Sequence, residues 1–143
     1  YGMIGGQVVD VESEGKEISL DTLEFLHCKK TSALIESAMM IGAVLAGAEE
    51  ADVRRIEQVG TDVGLAFQII DDILDVTSTA ELLGKPIGSD IEEGKKTFVT
   101  LMGIEQAKAR AAELTERAHT LLGAFEHTEF LHGLTDALLV RVQ

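Results

Sequence analysis

Acidic side chains and one amide share a side of a helix predicted for the middle of the chain. Apolar residues recur every three to four positions over residues 51–76, which is the period of an α-helix. The step of about 100° per residue places Gln68, Asp71 and Asp75 within about 60° of one another, with Asp72 beside them. The spacing therefore predicts a compact group of oxygen ligands on one helix face.

The predicted acidic face has no basic neighbours along the chain. Residues 56–84 contain no lysine or arginine, so no side chain one helical turn away can neutralise the aspartates. Carboxylates this close repel one another, and some must bind a proton or a cation. Mg²⁺ prefers oxygen ligands and commonly takes one or two carboxylates together with substrate phosphates. The apolar flanks and the bare surface of Gly60 and Gly64 favour a metal site over the ordinary alternative, a solvated acidic face.

Polar residues also interrupt the apolar stripe of an earlier helix, predicted over residues 19–47. His27, Lys30 and Thr31 stand at positions of the helical period that carry leucine, alanine or isoleucine elsewhere in this helix. Burying an unpaired ammonium group costs several kcal/mol. Two interpretations follow. Either Lys30 extends to the rim while His27 is an ordinary core histidine, or Lys30 and Thr31 line a cleft that binds an anion.

A glycine-rich loop follows the acidic helix, over residues 77–94. It contains several glycines and the chain's single proline, so a continuous helix is excluded there. Lys85 within it and Lys95 after it return positive charge to the chain. Flexible lysines act as point charges for phosphate groups, and loops of this length are often functional. The alternative is a solvated loop with ordinary lysines.

The remaining patterns indicate one all-helical unit without strands. The single proline and the absence of tryptophan are typical of long helices rather than of a turn-rich sandwich. Residues 1–9 have the pattern of a helix end, residues 10–18 that of a loop, and further helices are predicted at residues 98–122 and 126–142. The fold class predicted is all-α.

Charge and composition exclude several classes of function. The chain has 12 Lys and Arg against 25 Asp and Glu, a formal net charge of −13, which argues against binding nucleic acid or anionic membranes. The longest uncharged apolar run, residues 37–48, is shorter than the roughly 20 residues that cross a bilayer, so no stable membrane insertion is expected. Cys28 is the only cysteine, and no basic leader opens the chain, so we expect a cytoplasmic location.

Four segments, taken in order, resemble the trans-isoprenyl diphosphate synthases. They are residues 6–10, residues 27–31, residues 67–75 with the D-D-x-x-D pattern, and the loop of residues 84–95. The resemblance is closest to bacterial short-chain polyprenyl synthetases, which make geranyl, farnesyl or geranylgeranyl diphosphate. It implies an isoprenoid-synthase-type helical bundle around a deep cavity. Residues 1–143 would form the C-terminal portion of a single polyprenyl synthetase domain, without its N-terminal half.

The resemblance implies a chemistry and a role for each matched residue. In the implied reaction an allylic diphosphate ionises to a carbocation, which isopentenyl diphosphate attacks head to tail before a proton is lost. The implied cofactor is Mg²⁺, for which Mn²⁺ can substitute. The implied metal ligands are Asp71, Asp72 and Asp75, of which Asp71 would be the main direct ligand and the other two would bind directly or through water. The implied catalytic residues are Lys30, Thr31 and Gln68. The implied substrate-binding residues are these three together with Lys85 and Lys95.

The first aspartate-rich motif of such enzymes and the basic residues for isopentenyl diphosphate do not occur in these 143 residues. We therefore expect the chain alone to be inactive, and the full-length enzyme to be a homodimer. Three alternatives stay open at this point: a terpene cyclase, a non-catalytic or complementing subunit of a heteromeric prenyltransferase, and a di-iron carboxylate bundle. The last is suggested by two Glu-x-x-His pairs, Glu24 with His27 and Glu129 with His132.

Overall fold

Helices account for the regular structure in the part of the chain that the computed structural model describes, residues 2–77 and 95–140. The all-α prediction is therefore confirmed over these ranges. No helix within them is long and apolar enough to cross a membrane. The elements, in chain order, are α1 (Gly2–Ser13), α2 (Leu20–His27), a π-helical segment (Cys28–Ser32), α3 (Ala33–Leu45), α4 (Glu50–Thr77), α5 (Phe98–Met102), α6 (Ile104–Leu122) and α7 (Glu129–Val140).

Helix α1 is longer than the sequence pattern predicts. The expected loop from residue 10 begins only after Ser13, so Asp10 lies on the helix. No glycine or proline interrupts residues 7–14, and Gly15 adopts a positive φ of 69° where the chain turns. The extension gives Asp10 a fixed direction, toward the polar break in the next helix.

The helix predicted over residues 19–47 is interrupted by the π-helical segment. Its start is marked by Ser19, whose side chain accepts a hydrogen bond from the Thr22 amide at 3.2 Å. A π-turn closes hydrogen bonds five residues apart and so adds one residue to the turn, which rotates everything after it. The predicted core stripe consequently fails beyond the segment: Leu34 and Ile41 are 58% and 59% exposed, whereas Ser32 is fully buried.

Helix α4 is the central element and matches its predicted span closely. Ile56, Val63, Ile70 and Leu74 of its predicted apolar stripe are buried, and Phe67 is half-buried. Its apolar face packs against α2, α5 and α6 around Ile69, Ile73, Phe98 and Leu114, which are at most 1% exposed. The hydrophobic effect thus holds the acidic helix rigidly in the middle of the bundle.

A buried ion pair also joins α4 to α6. Asp62 is fully buried and accepts two hydrogen bonds from Arg117, at 2.6 Å from Nε and 2.5 Å from Nη2, and a third from Gln58 at 2.8 Å. These contacts raise the pKa of Arg117. Arg117, which is 55 residues further along the chain, therefore neutralises this carboxylate. The sequence pattern does not predict this pairing.

The helix predicted over residues 98–122 is divided at Gly103. This glycine has φ 84° and ψ 158°, so it breaks the helix into α5 and α6. The last helix begins at Glu129 rather than at residue 126, because the preceding turn includes His127 at a positive φ of 59°. Both differences are local and leave the packing against α4 intact.

Candidate functional site

A polar cavity of about 190 Å³ opens where α1, α2, the π-helical segment, α4 and the segment before α5 meet. Ile18, Leu23 and Leu26 contribute apolar side chains to its wall. Its polar lining consists of Asp10, Ser13, Glu14, His27, Lys30, Gln68, Asp71, Asp72, Lys95, Lys96 and Thr97. Residues far apart in sequence therefore converge on one space, and most of the described site residues predicted from the sequence are among them.

Lys30 is held at the cavity by the helix before it. Its Nζ donates a hydrogen bond to Asp10 Oδ2 at 2.5 Å, and both side chains are partly exposed. A Cβ at Gly6 would lie 2.8 Å from Lys30 Cα, so only glycine allows α1 to pack directly on the π-helical segment. Lys30 is therefore neither a buried unpaired charge nor an unpaired side chain at the protein surface. It is oriented by an aspartate to which the sequence pattern assigns no role.

The glycines of α4 set the distance to the π-helical segment and α3. A Cβ at Gly64 would lie 2.5 Å from Ser32 Oγ and 2.6 Å from Ser32 Cα, and one at Gly60 would lie 2.8 Å from Glu36 Cα. The expectation that these glycines leave bare surface on the acidic face is wrong, because the neighbouring backbone covers them. The close contact of α4 with the π-helical segment brings Lys30 near Gln68 and Asp71, which follow these glycines on α4.

The aspartates of α4 have different surroundings. Asp71 is half-buried and lines the cavity. Asp72, 9% exposed, also reaches the lining, and its Oδ2 accepts a hydrogen bond of 2.7 Å from the Phe98 amide. Asp75 is 1% exposed and lies outside the lining residues. A solvated acidic face is therefore excluded for Asp72 and Asp75.

The remaining predicted site residues have different outcomes. Thr31 lies half-buried in the π-helical segment but outside the lining of the cavity. Lys95 is brought to the cavity, together with Lys96, which also forms an ion pair of 2.7 Å with Glu17. Lys85 and the rest of the loop of residues 78–94 lie outside the described residues.

His27 forms part of the inner wall and is uncharged at neutral pH. It stacks on Phe98 with ring centroids 5.5 Å apart, and its Nδ1 is buried without a hydrogen-bond partner. Burial lowers the pKa of His27 from 6.5 to about 4, although the neighbouring Gln68 and Asp10 oppose the shift. A neutral imidazole here adds no positive charge to the cavity, so the lysines supply it.

The low pKa of His27 predicts acid sensitivity. The unfolded chain binds a proton at this residue below about pH 6.5, whereas the folded chain does so only near pH 4. Stability is therefore lost as the pH falls through this window, by about 2–3 kcal/mol between pH 7 and pH 4.5. Urea unfolding at both pH values measures the loss, and His27→Gln should reduce it by that amount. Equal losses in the parent and the variant would contradict the assignment.

The cavity suits a magnesium ion whose ligands come partly from phosphate and water better than an ion held by protein side chains alone. No group of three or more His, Cys, Asp or Glu side chains able to hold a metal occurs within residues 2–77 and 95–137. Mg²⁺, however, needs only one or two protein carboxylates when phosphate oxygens and water complete its shell. Asp71, which lines the same cavity as Lys30 and Lys95, suits that mode of binding.

The two Glu-x-x-His pairs do not form a di-iron site in the described residues. Glu24 is paired with Arg110 at 3.4 Å, and its partner His27 faces the cavity. The imidazole of His132 instead meets that of His119, with Nδ1 atoms 2.5 Å apart, and Asp136 lies 2.7 Å from His119 Nε2. The di-iron alternative is wrong for these residues, because the two motifs lie in separate clusters.

The family model for polyprenyl synthetase matches residues 1–128. The chain belongs to the polyprenyl synthetase family. A geranylgeranyl diphosphate synthase from Cyanophora paradoxa is 48% identical over 118 residues, which are 82% of this chain and 39% of that protein. A dimethylallyltranstransferase from Fischerella ambigua is 44% identical over 142 residues, which are 98% of this chain and 41% of that protein. This polyprenyl synthetase chain thus spans about 40% of the length of these curated relatives.

Solved polyprenyl synthetase structures share the arrangement of helices. The geranyltransferase of Helicobacter pylori, complexed with magnesium and isoprenyl diphosphate, superposes with a TM-score of 0.77 at 34% identity, covering 97% of this chain and 46% of that one. The heptaprenyl diphosphate synthase of Staphylococcus aureus superposes with a TM-score of 0.92 over 99% of this chain and 57% of that one. Its identity of 23% supports the fold alone.

Proposed function

We propose that this chain supplies the magnesium- and diphosphate-binding half of a prenyltransferase site. The reaction would be the head-to-tail condensation of an allylic diphosphate with isopentenyl diphosphate. One observation carries the proposal: Asp71, Gln68, Lys30 and Lys95, from three separate segments, line one cavity. The similar geranyltransferase of Helicobacter pylori, which was crystallised with magnesium and isoprenyl diphosphate, supports the same ligands.

The charges around the cavity explain why a divalent cation is needed. Its lining contains four carboxylates, of Asp10, Glu14, Asp71 and Asp72, against three ammonium groups, of Lys30, Lys95 and Lys96. A diphosphate carries several negative charges and would be repelled by such a lining. We therefore expect diphosphate to bind only together with Mg²⁺ or Mn²⁺, and chelation by EDTA to abolish binding.

In the proposed mechanism, Lys30 and Lys95 bind the diphosphate and face the negative charge that grows on it as the allylic carbon–oxygen bond breaks. Magnesium held by Asp71 would supply further positive charge to the leaving diphosphate. Gln68 would lie beside the reacting carbons, Thr31 would contact the allylic substrate, and Lys85 would bind the diphosphate. Leu23, Leu26 and the neutral His27 limit access of water to the carbocation from the inner side.

The proposal also covers the product and the assembly of the protein. We propose a short-chain product of the geranyl to geranylgeranyl class. Exposed apolar residues on α1 and α3, such as Ile4 at 72% and Leu45 at 82%, support coverage of these faces in a longer, homodimeric protein. A cytoplasmic location stays a prediction. One relative, from Capsicum annuum, is named as chloroplastic.

A purely structural subunit is disfavoured, since such a subunit has no need of carboxylates and lysines that line one cavity.

A condensation assay tests the proposed function. The chain is assayed alone, and also joined to the part of the Cyanophora paradoxa synthase that precedes the matched segment, with radiolabelled isopentenyl diphosphate and an allylic diphosphate. We expect product from the joined protein and none above background from the chain alone. A folded joined protein that makes no product would contradict the function, and comparable rates from both would contradict the predicted inactivity of the isolated chain.

A further inference from the structure

Adjacent carboxylates of α4 meet different partners. Asp71 lines the cavity and is half-buried. Asp72 also lines the cavity, but its Oδ2 accepts the Phe98 N–H at 2.7 Å in a buried environment at the start of α5. Hydrogen bonds from amides to carboxylates are among the stronger ones, and this bond is shielded from water. One oxygen of Asp72 therefore has a defined structural partner.

The contact fixes the segment that carries two lysines of the cavity. Phe98 is fully buried and stacked on His27, and Thr97 before it forms a capping box with Thr100. Lys95 and Lys96 immediately precede this capped start and line the cavity. Once the Phe98 amide is anchored on α4, only two or three residues of chain separate these lysines from a fixed point.

We propose that Asp72 is a positioning residue that anchors the start of α5 and so keeps Lys95 over the cavity. The proposal rests on the proposed function. It gives Asp72 a task of its own, whereas the resemblance implies only that Asp72 binds the metal directly or through water beside the main ligand Asp71. What Asp72 contributes to this anchor is an acceptor oxygen at a set position.

Two substitutions of Asp72 distinguish its possible roles as a hydrogen-bond acceptor and as a metal ligand. Asp72→Asn keeps an oxygen for the Phe98 amide and removes the charge, whereas Asp72→Ala removes both. Asp71→Asn serves as the matched loss of charge at the neighbouring position. Binding of inorganic pyrophosphate in the presence of Mg²⁺ is measured by calorimetry on the 143-residue chain. Exchange of the Phe98 amide hydrogen is measured by NMR in the absence of metal.

We expect Asp72→Asn, which removes one charge from the lining, to weaken binding of magnesium pyrophosphate less than Asp71→Asn does and to keep the Phe98 amide protected. Asp71→Asn should bind at least about tenfold more weakly while leaving that protection unchanged. Asp72→Ala should lose the protection, and adding Lys95→Ala to it should cost less affinity than Lys95→Ala costs in the parent, because the lysine is already displaced.

Each other outcome overturns a specific part of the account. If Asp72→Asn loses as much affinity as Asp71→Asn, Asp72 is a ligand and the positioning role is wrong. If Asp72→Asn binds normally but the Phe98 amide exchanges freely, the anchor is wrong. Where Asp72→Ala does not fold, the comparison of the two asparagine variants still decides. If the parent binds no magnesium pyrophosphate, the proposed function fails, and the exchange of the Phe98 amide still shows whether Asp72 anchors the start of α5.

Discussion

Replacing Asp71 with asparagine is expected to lower the condensation rate of the joined, active protein by about 10²- to 10³-fold, the usual cost of removing one group that stabilises charge in a transition state. Asp71 lines the cavity together with Lys30 and Lys95, whereas the neighbouring Asp72 accepts a hydrogen bond from the Phe98 amide. The change keeps the size of the side chain, so the loss reports charge rather than packing. Initial rates over a range of Mg²⁺ concentrations measure it, and the Mg²⁺ concentration for half-maximal rate should rise.

The matched control for this prediction is Glu57→Gln. It also converts a carboxylate to an amide on α4, but Glu57 is exposed and outside the lining of the cavity. Its rate and Mg²⁺ dependence should equal those of the parent. Similar losses in both variants would show that the net charge of α4, rather than a bound cation at Asp71, controls the rate.

Gly64→Ala is expected to destabilise the chain by about 3 kcal/mol, a value at the upper end for overpacking. The added methyl group would lie 2.6 Å from Ser32 Cα, so the backbone of the π-helical segment must move away. Since Lys30 belongs to that segment, pyrophosphate binding should weaken as well. Urea unfolding monitored by circular dichroism measures the stability, and calorimetry measures the binding.

Gly42→Ala is the matched control, because Gly42 lies in α3 and an added methyl group there would have no neighbouring atom within 4 Å. Alanine is the better helix former, so this variant should be unchanged or more stable by up to about 1 kcal/mol. A second matched pair compares Gly6→Ala, which would meet the Lys30 backbone, with Gly5→Ala, which would meet nothing. Equal stabilities within each pair would refute the close packing of α1 and α4 on the segment.

Much of the fold and part of the candidate site were predictable from residue spacing. The apolar period predicted α4 to within a residue or so at each end, and the absence of basic residues around Asp71 predicted the need for a cation. Lys30 interrupts an apolar stripe, and this position alone marks it as unusual. These predictions depend on local periodicity and on charge, both of which the linear sequence records.

The remainder depends on contacts between distant residues. No local signal indicates that residues 28–32 form a π-turn. The segment packs against Gly6 on one side and Gly64 on the other, and both glycines are distant from it in sequence. For the same reason the exposed position of Leu34 was not predicted. The Asp10–Lys30 pair spans 20 residues, and the anchoring of Phe98 by Asp72 spans 26. Such pairings appear only once the helices are packed.

Anomalous diffraction from crystals of the chain grown with Mn²⁺ and pyrophosphate tests the central claim most directly. We predict a manganese peak bound to an Asp71 carboxylate oxygen at roughly 2.0–2.3 Å, with phosphate oxygens within hydrogen-bonding distance of Lys30 Nζ. Manganese and pyrophosphate found together elsewhere on the chain, with Asp71 bound to neither, would contradict it.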